Sequence, residues 1–89
     1  MKIIQINADG TEIHHEKKPG YDLLKKVTGG IYARVEFKNA NGKGEVWHND
    51  NFYAERLPFN AKVTELCGVH IQGNCFVYLH EPRKVKNAT

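Results

Sequence analysis

The chain has 89 residues, is 40% hydrophobic and 26% charged, and carries a formal net charge of +3. These values describe one globular domain with a thin core, because so short a chain buries only about 60–65% of its unfolded surface. They exclude a disordered tail, a DNA mimic with a densely acidic surface, and a membrane span, which needs roughly 20 consecutive apolar residues.

The N-terminal segment reads as a hairpin. Ile4 and Ile6 alternate with polar neighbours, Ala8-Asp9-Gly10 supplies a turn, and Thr11, Ile13 and His15 share one face of a second strand. After the breaker Lys17-Lys18-Pro19-Gly20, Tyr21, Leu24 and Val27 recur at helical spacing, and Gly29-Gly30 suits a left-handed C-cap. About two turns fit here, so this helix depends on packing against a sheet. Ile31, Ala33, Val35 and Phe37 then alternate with Tyr32, Arg34 and Glu36. Asn39-Ala40-Asn41-Gly42 is a turn signal, with Glu45-Val46-Trp47-His48 returning as the partner strand.

A polar loop runs from Asn49 to Phe59. Asn60 is a favoured N-cap for a second short helix, which Gly68 closes and in which Val63, Leu66 and Cys67 form the apolar stripe. Cys75, Val77 and Leu79 alternate with Phe76, Tyr78 and His80 in a last strand. The expected architecture is a single small α+β domain over residues 1–81, followed by a polar basic tail at 82–89. Its order is β-β-α-β-β-α-β, with a mostly antiparallel sheet and both short helices on one face.

Reaction chemistry finds little support. Cys67, His70, Cys75 and His80 have the spacing of a zinc knuckle. Cys75 and His80 lie five apart on one strand, however, and so point to opposite faces. The expected reading makes the cysteines small, reduced core residues and the histidines surface residues, with no metal and no cofactor. His14 and His15 are neighbours on a strand and diverge in the same way. Asp50, Glu55 and His48 could suggest acid–base work, yet the chain has no serine and no other evident nucleophile–base pair. Gly29-Gly30 and Gly42-Lys43-Gly44 lack phosphate-loop spacing. No catalytic residue is expected.

The aromatic residues carry more. Trp47, Phe52, Tyr53 and Phe59 cannot all be assigned to the core from sequence, because Phe52 and Tyr53 sit in a polar loop beside Arg56. Exposed aromatics beside Arg are frequent anchors of protein interfaces and of base-stacking pockets. The opposing reading folds the loop back as a plug.

Several of these residues also carry a resemblance. Gly29-Gly30 at a helix end, Asn49-Asp50, Leu57-Pro58-Phe59-Asn60, Thr64 and Ile71-Gln72-Gly73 follow one another at spacings that resemble a family of small phage and mobile-element proteins. That family shows Gly-Gly, Asn-Glu-x-Gly and Leu-Pro-x-Asn, then a helix containing Ala-Thr. The resemblance covers Tyr21 to Tyr78. Ala33 stands where the family usually has Glu, Phe52 where Gly is usual, and Val63 in place of the Ala. The resemblance implies a setting inside a host cell, with a cytoplasmic location to which the absence of an apolar leader also points. It implies no chemistry.

The function expected is a non-enzymatic binding module that acts on a host protein, in host takeover or anti-defence. The recognition surface would be the Asn49–Phe59 loop and the adjoining sheet edge. Tyr53 and Arg56 would be the anchors and Phe52 a further contact, with Asp50 and Asn60 holding the loop's shape and Asn49 beside them. A homodimer is a further expectation. One alternative is a capture protein for a nucleotide signal, in which Arg34, Arg56 or Lys62 meets phosphate. Another, less favoured, is a nucleic-acid-binding regulator.

Overall fold

A computed structural model describes residues 1–82. Five strands and two helices follow one another as β1 (Lys2–Ile6), β2 (Glu12–His15), α1 (Tyr21–Thr28), β3 (Tyr32–Asn39), β4 (Gly42–Asn49), α2 (Ala61–Cys67) and β5 (Cys75–Pro82). The strands form one antiparallel sheet in the order β2-β1-β5-β4-β3. The α+β class stands. The tail expected from residue 82 lies outside the described residues, except that Pro82 ends β5.

The helices do not share a face, contrary to the expectation. Val63 and Cys67 of α2 pack with Ile4, Ile6, Val46 and Val77. Leu24 of α1 packs with Ile3, Phe76 and Tyr78. Along β5, Val77 alternates with Phe76 and Tyr78, so the two clusters lie on opposite sides of the sheet. The reason is in β1 and β5, which are apolar at successive positions and therefore need cover on both faces. The chain also has to travel from β2, at one edge, to β3, at the other. Helix α1 makes that journey over one face, and α2 links the neighbours β4 and β5 over the other.

Local signals set the helix ends. Gly29 and Gly68 cap α1 and α2 in the left-handed region, at φ of 92° and 78°. The apolar side of α1 is narrower than its spacing suggested: Leu24 is buried and Val27 half-buried, while Tyr21 and Leu23 remain exposed. Ile31 stays outside β3 and exposed. At the far end of the β4–β5 pairing the register shifts between Lys43 and Gly44. No helix among the described residues is long and apolar enough to cross a membrane.

Candidate functional site

The motif residues interlock in two places, and both locks are structural. In the first, Asn49 is buried at the end of β4. Its Nδ2 donates to the Thr28 carbonyl at 3.0 Å and to Glu55 Oε1 at 3.3 Å, and its Oδ1 accepts from the Asn51 N–H. The amide lies against Gly29, where a Cβ would come within 3.5 Å of it. Asn49 therefore ties the end of α1 to the start of the loop. Asp50 is exposed, and its N–H donates to the Ile31 carbonyl.

In the second lock, Asn60 is fully buried. Its Oδ1 caps α2 by accepting from the Val63 N–H at 3.1 Å. Its Nδ2 donates to the carbonyls of Ile6 at 3.0 Å and Gly73 at 2.8 Å. Gly73 N–H returns a bond to the Pro58 carbonyl, and Gln72 Nε2 donates to the Leu57 and Phe52 carbonyls. Leu57-Pro58-Phe59-Asn60 and Ile71-Gln72-Gly73 thus form one hydrogen-bonded unit. The spacing of these residues in the chain is what the hydrogen bonds between the two segments require.

On that rigid base the loop presents aromatic rings around His70. The Phe59 ring stacks on His70 with centroids 5.2 Å apart and planes at 24°, Phe52 lies at 6.0 Å, and Tyr53 approaches edge-on at 6.4 Å. His70 is itself fixed by a 2.7 Å bond between Nε2 and Gln72 Oε1. Phe52 is the plug of this arrangement, half-buried against the α2-side core and against His48. Tyr53 and Phe59 are not buried: they are 78% and 50% exposed, and Val69 next to His70 is also exposed. Of these two neighbouring loop residues, Phe52 folds back against the core and Tyr53 stays exposed. Arg56 is exposed at the same loop and has a φ of 54°, the only non-glycine residue described with a positive φ. In the sequence His70 stands out only as a possible zinc ligand. The turn that carries it back under Phe59 is set by the bridge between Phe59 and Gln72, and no periodicity could show it.

The remaining cationic candidates are elsewhere. Lys62 Nζ donates to the Gly10 carbonyl at 2.7 Å and meets Glu12 Oε2 at 3.0 Å, which pins α2 to the β1–β2 hairpin. Arg34 is on the α1 side of β3, 3.4 Å from Glu36 and 3.7 Å from Glu45, with its guanidinium 5.9 Å from the Trp47 ring centroid. Arg34, Arg56 and Lys62 are therefore not assembled into one phosphate-sized cluster.

Around Arg34 the α1 side carries a row of rings, Tyr21–Tyr32–Trp47–Tyr78, with neighbouring centroids 5.6–5.9 Å apart. Lys25 and Lys18 lie over Tyr21 and Tyr78, so much of this ring surface already has a cationic partner. An open cleft of about 710 Å³ follows, lined by Glu36, Phe37, Lys38, Lys43, Glu45 and His80. Glu45 is held there by His80, Trp47 and Arg34.

The cysteines are buried free thiols in the α2-side core. Burial, followed by the neighbouring Cys67, pushes the Cys75 thiol up to about 12, so it stays protonated and inert. His80 is on the other side of the sheet, bonded to Glu45. His15 packs on Phe76 and bonds Gln5, whereas His14 faces solvent beside Glu12. Among the described residues no group of His, Cys, Asp or Glu is arranged to hold a metal ion. Comparisons with protein-family models, with curated proteins and with solved structures find no match for this chain.

Proposed function

We propose that the chain is a non-enzymatic binding module that docks on a protein through Tyr53, Phe59 and His70, with Arg56 at the rim. The observation that carries this reading is the exposure of two aromatic rings on a hydrogen-bonded base. A tyrosine that leaves 78% of its surface in water contributes little to its own fold. Rigid aromatic anchors beside an arginine are what well-packed interface centres are made of, and their preorganisation lowers the ordering cost of association. A host protein as target, in a phage or mobile-element setting, belongs to the same proposal. It rests on the resemblance of the Gly29-Gly30, Leu57–Asn60 and Ile71–Gly73 pattern.

The test is affinity capture from host lysate with the wild-type chain and with Tyr53→Ala and Phe59→Ala, followed by native mass measurement. A stoichiometric protein retained by the wild type and lost from both variants supports the reading. A partner retained equally by all three chains overturns the patch. A captured molecule of a few hundred daltons would replace the reading with nucleotide capture.

A further inference from the structure

We propose that two copies of this chain pair through their β3 edges, in antiparallel register about a two-fold axis at Val35, to form one continuous ten-stranded sheet. Among the described residues no strand lies outside β3. Its sequence, Tyr32 to Asn39, holds no proline, and all eight residues pair with β4 without a register shift. An edge of this length is a template for another strand unless something blunts it.

The hairpin fixes which backbone groups are free for such pairing. Ala40 and Asn41 form a two-residue loop, so the closing pair Asn39–Gly42 exchanges both of its hydrogen bonds. Bonded pairs alternate from there, and Phe37, Val35 and Ala33 direct their N–H and C=O groups at β4. Tyr32, Arg34, Glu36 and Lys38 direct theirs outward. A two-fold centred on Val35 places Arg34 of one copy opposite Glu36 of the other, twice, and Tyr32 opposite Lys38, twice. All four are positions whose backbone groups face the partner.

Charge disfavours the two neighbouring registers, and a centre at Val35 keeps the overlap of the two strands as long as Tyr32–Asn39 allows. Moving the axis one residue to Arg34 sets Arg34 against itself, and moving it to Glu36 sets Glu36 against itself and Arg34 against Lys38. Like charges directly opposite one another are destabilising. With the axis at Val35 every charged pair on that side is opposite in sign or cation against ring. On the other side Ala33 meets Phe37, small against large, and the two Val35 side chains meet at the axis. Val35 is only partly covered within one copy. The interface is isologous, as a two-fold requires. It does not depend on the partner proposed for the Tyr53 patch, because it is measured on the purified chain alone.

Sedimentation equilibrium over a wide concentration range tests the pairing, together with cysteine cross-linking for the register. The wild type is expected to dimerise reversibly. Glu36→Arg, at an exposed position, should raise the dissociation constant by at least about tenfold, and R34E/E36R should restore it. At the axis, two residues of a non-hydrogen-bonded pair have Cα atoms about 4.5 Å apart, within disulfide range. Val35→Cys should therefore cross-link under oxidised glutathione, while Lys38→Cys, opposite Tyr32, should not. A wild type that remains monomeric at millimolar concentration overturns the proposal. So does a dimer indifferent to Glu36→Arg, or one that cross-links at Lys38→Cys and not at Val35→Cys. If R34E/E36R does not fold by circular dichroism, the cross-linking pattern decides.

Discussion

His80 Nε2 lies 2.7 Å from Glu45 Oε2, while Trp47 Nε1 holds Oε1 of the same carboxylate at 2.9 Å. An ionised carboxylate only accepts, so both ring N–H groups donate to it. Only 14% of the Glu45 side chain is exposed. Burial alone would raise its pKa. The hydrogen bonds from His80 and Trp47, and the charges of Arg34 and His80, outweigh that and hold it below its ordinary value of 4.5.

The sign of the pH dependence follows. A carboxyl whose folded-state pKa is depressed binds protons more readily in the unfolded chain. Its contribution to stability is present above the ordinary value of 4.5 and is lost as pH falls below it, through the folded-state value. Glu45→Gln should cost about 1–2 kcal/mol at neutral pH, measured by urea unfolding. It should also flatten the loss of stability as pH falls below the ordinary carboxyl value of 4.5. An unchanged acid limb in this variant would assign the acid sensitivity to other carboxyls.

Asn60→Ala should cost more than a helix cap. Replacing an ordinary cap costs about 1 kcal/mol. Here the same side chain also satisfies the buried carbonyls of Ile6 and Gly73, and leaving such groups without a partner costs roughly 1–3 kcal/mol. A total of about 3 kcal/mol is expected in equilibrium unfolding. A loss of only about 1 kcal/mol would mean that water reaches Ile6 and Gly73 and replaces the amide.

The sequence made the elements legible where a local rule decides them. Asn60 and Gly68 bracket α2, Gly29 closes α1, and β3 and β4 meet at a turn rich in Asn and Gly. The need for a helix on each side is also written there, in the uninterrupted apolar run Cys75-Phe76-Val77, because a strand apolar at successive positions needs cover on both faces. The candidate site was half legible. Tyr53 and Arg56 stand out as an aromatic and an arginine in a polar loop. Their assembly around His70 was not, because it depends on Gln72 bonding the Phe52 and Leu57 carbonyls, a contact across 15 to 20 residues. No spacing rule connects those positions.

Gly44 has a requirement that its φ does not reveal. A Cβ at this position would sit 2.3 Å from the Tyr78 carbonyl oxygen and 3.1 Å from the Phe37 ring. The clash is with backbone of the central strand, at the point where the β4–β5 register shifts. The strand cannot give way as a flexible side chain would. Gly44→Ala should destabilise the fold by at least about 3 kcal/mol, read as a lower thermal midpoint or as loss of soluble protein. A midpoint within error of the wild type would mean that β4 and β5 separate at this point at little cost.

Arg56→Gly separates the fold from the proposed function. At a φ of 54° a residue with a Cβ is held in the left-handed region at a cost of roughly 1–2 kcal/mol, and glycine adopts it freely. Arg56 is exposed, and its N–H donates to the Tyr53 carbonyl, a bond that glycine retains. The variant should therefore be as stable as the wild type, or more stable by up to about 1 kcal/mol. If Arg56 stands at the rim of a docking surface, the same change should weaken partner binding by about 1–3 kcal/mol while Tyr53 keeps its place. A variant that gains stability and binds the partner unchanged would remove Arg56 from the surface and leave Tyr53, Phe59 and His70 to carry it.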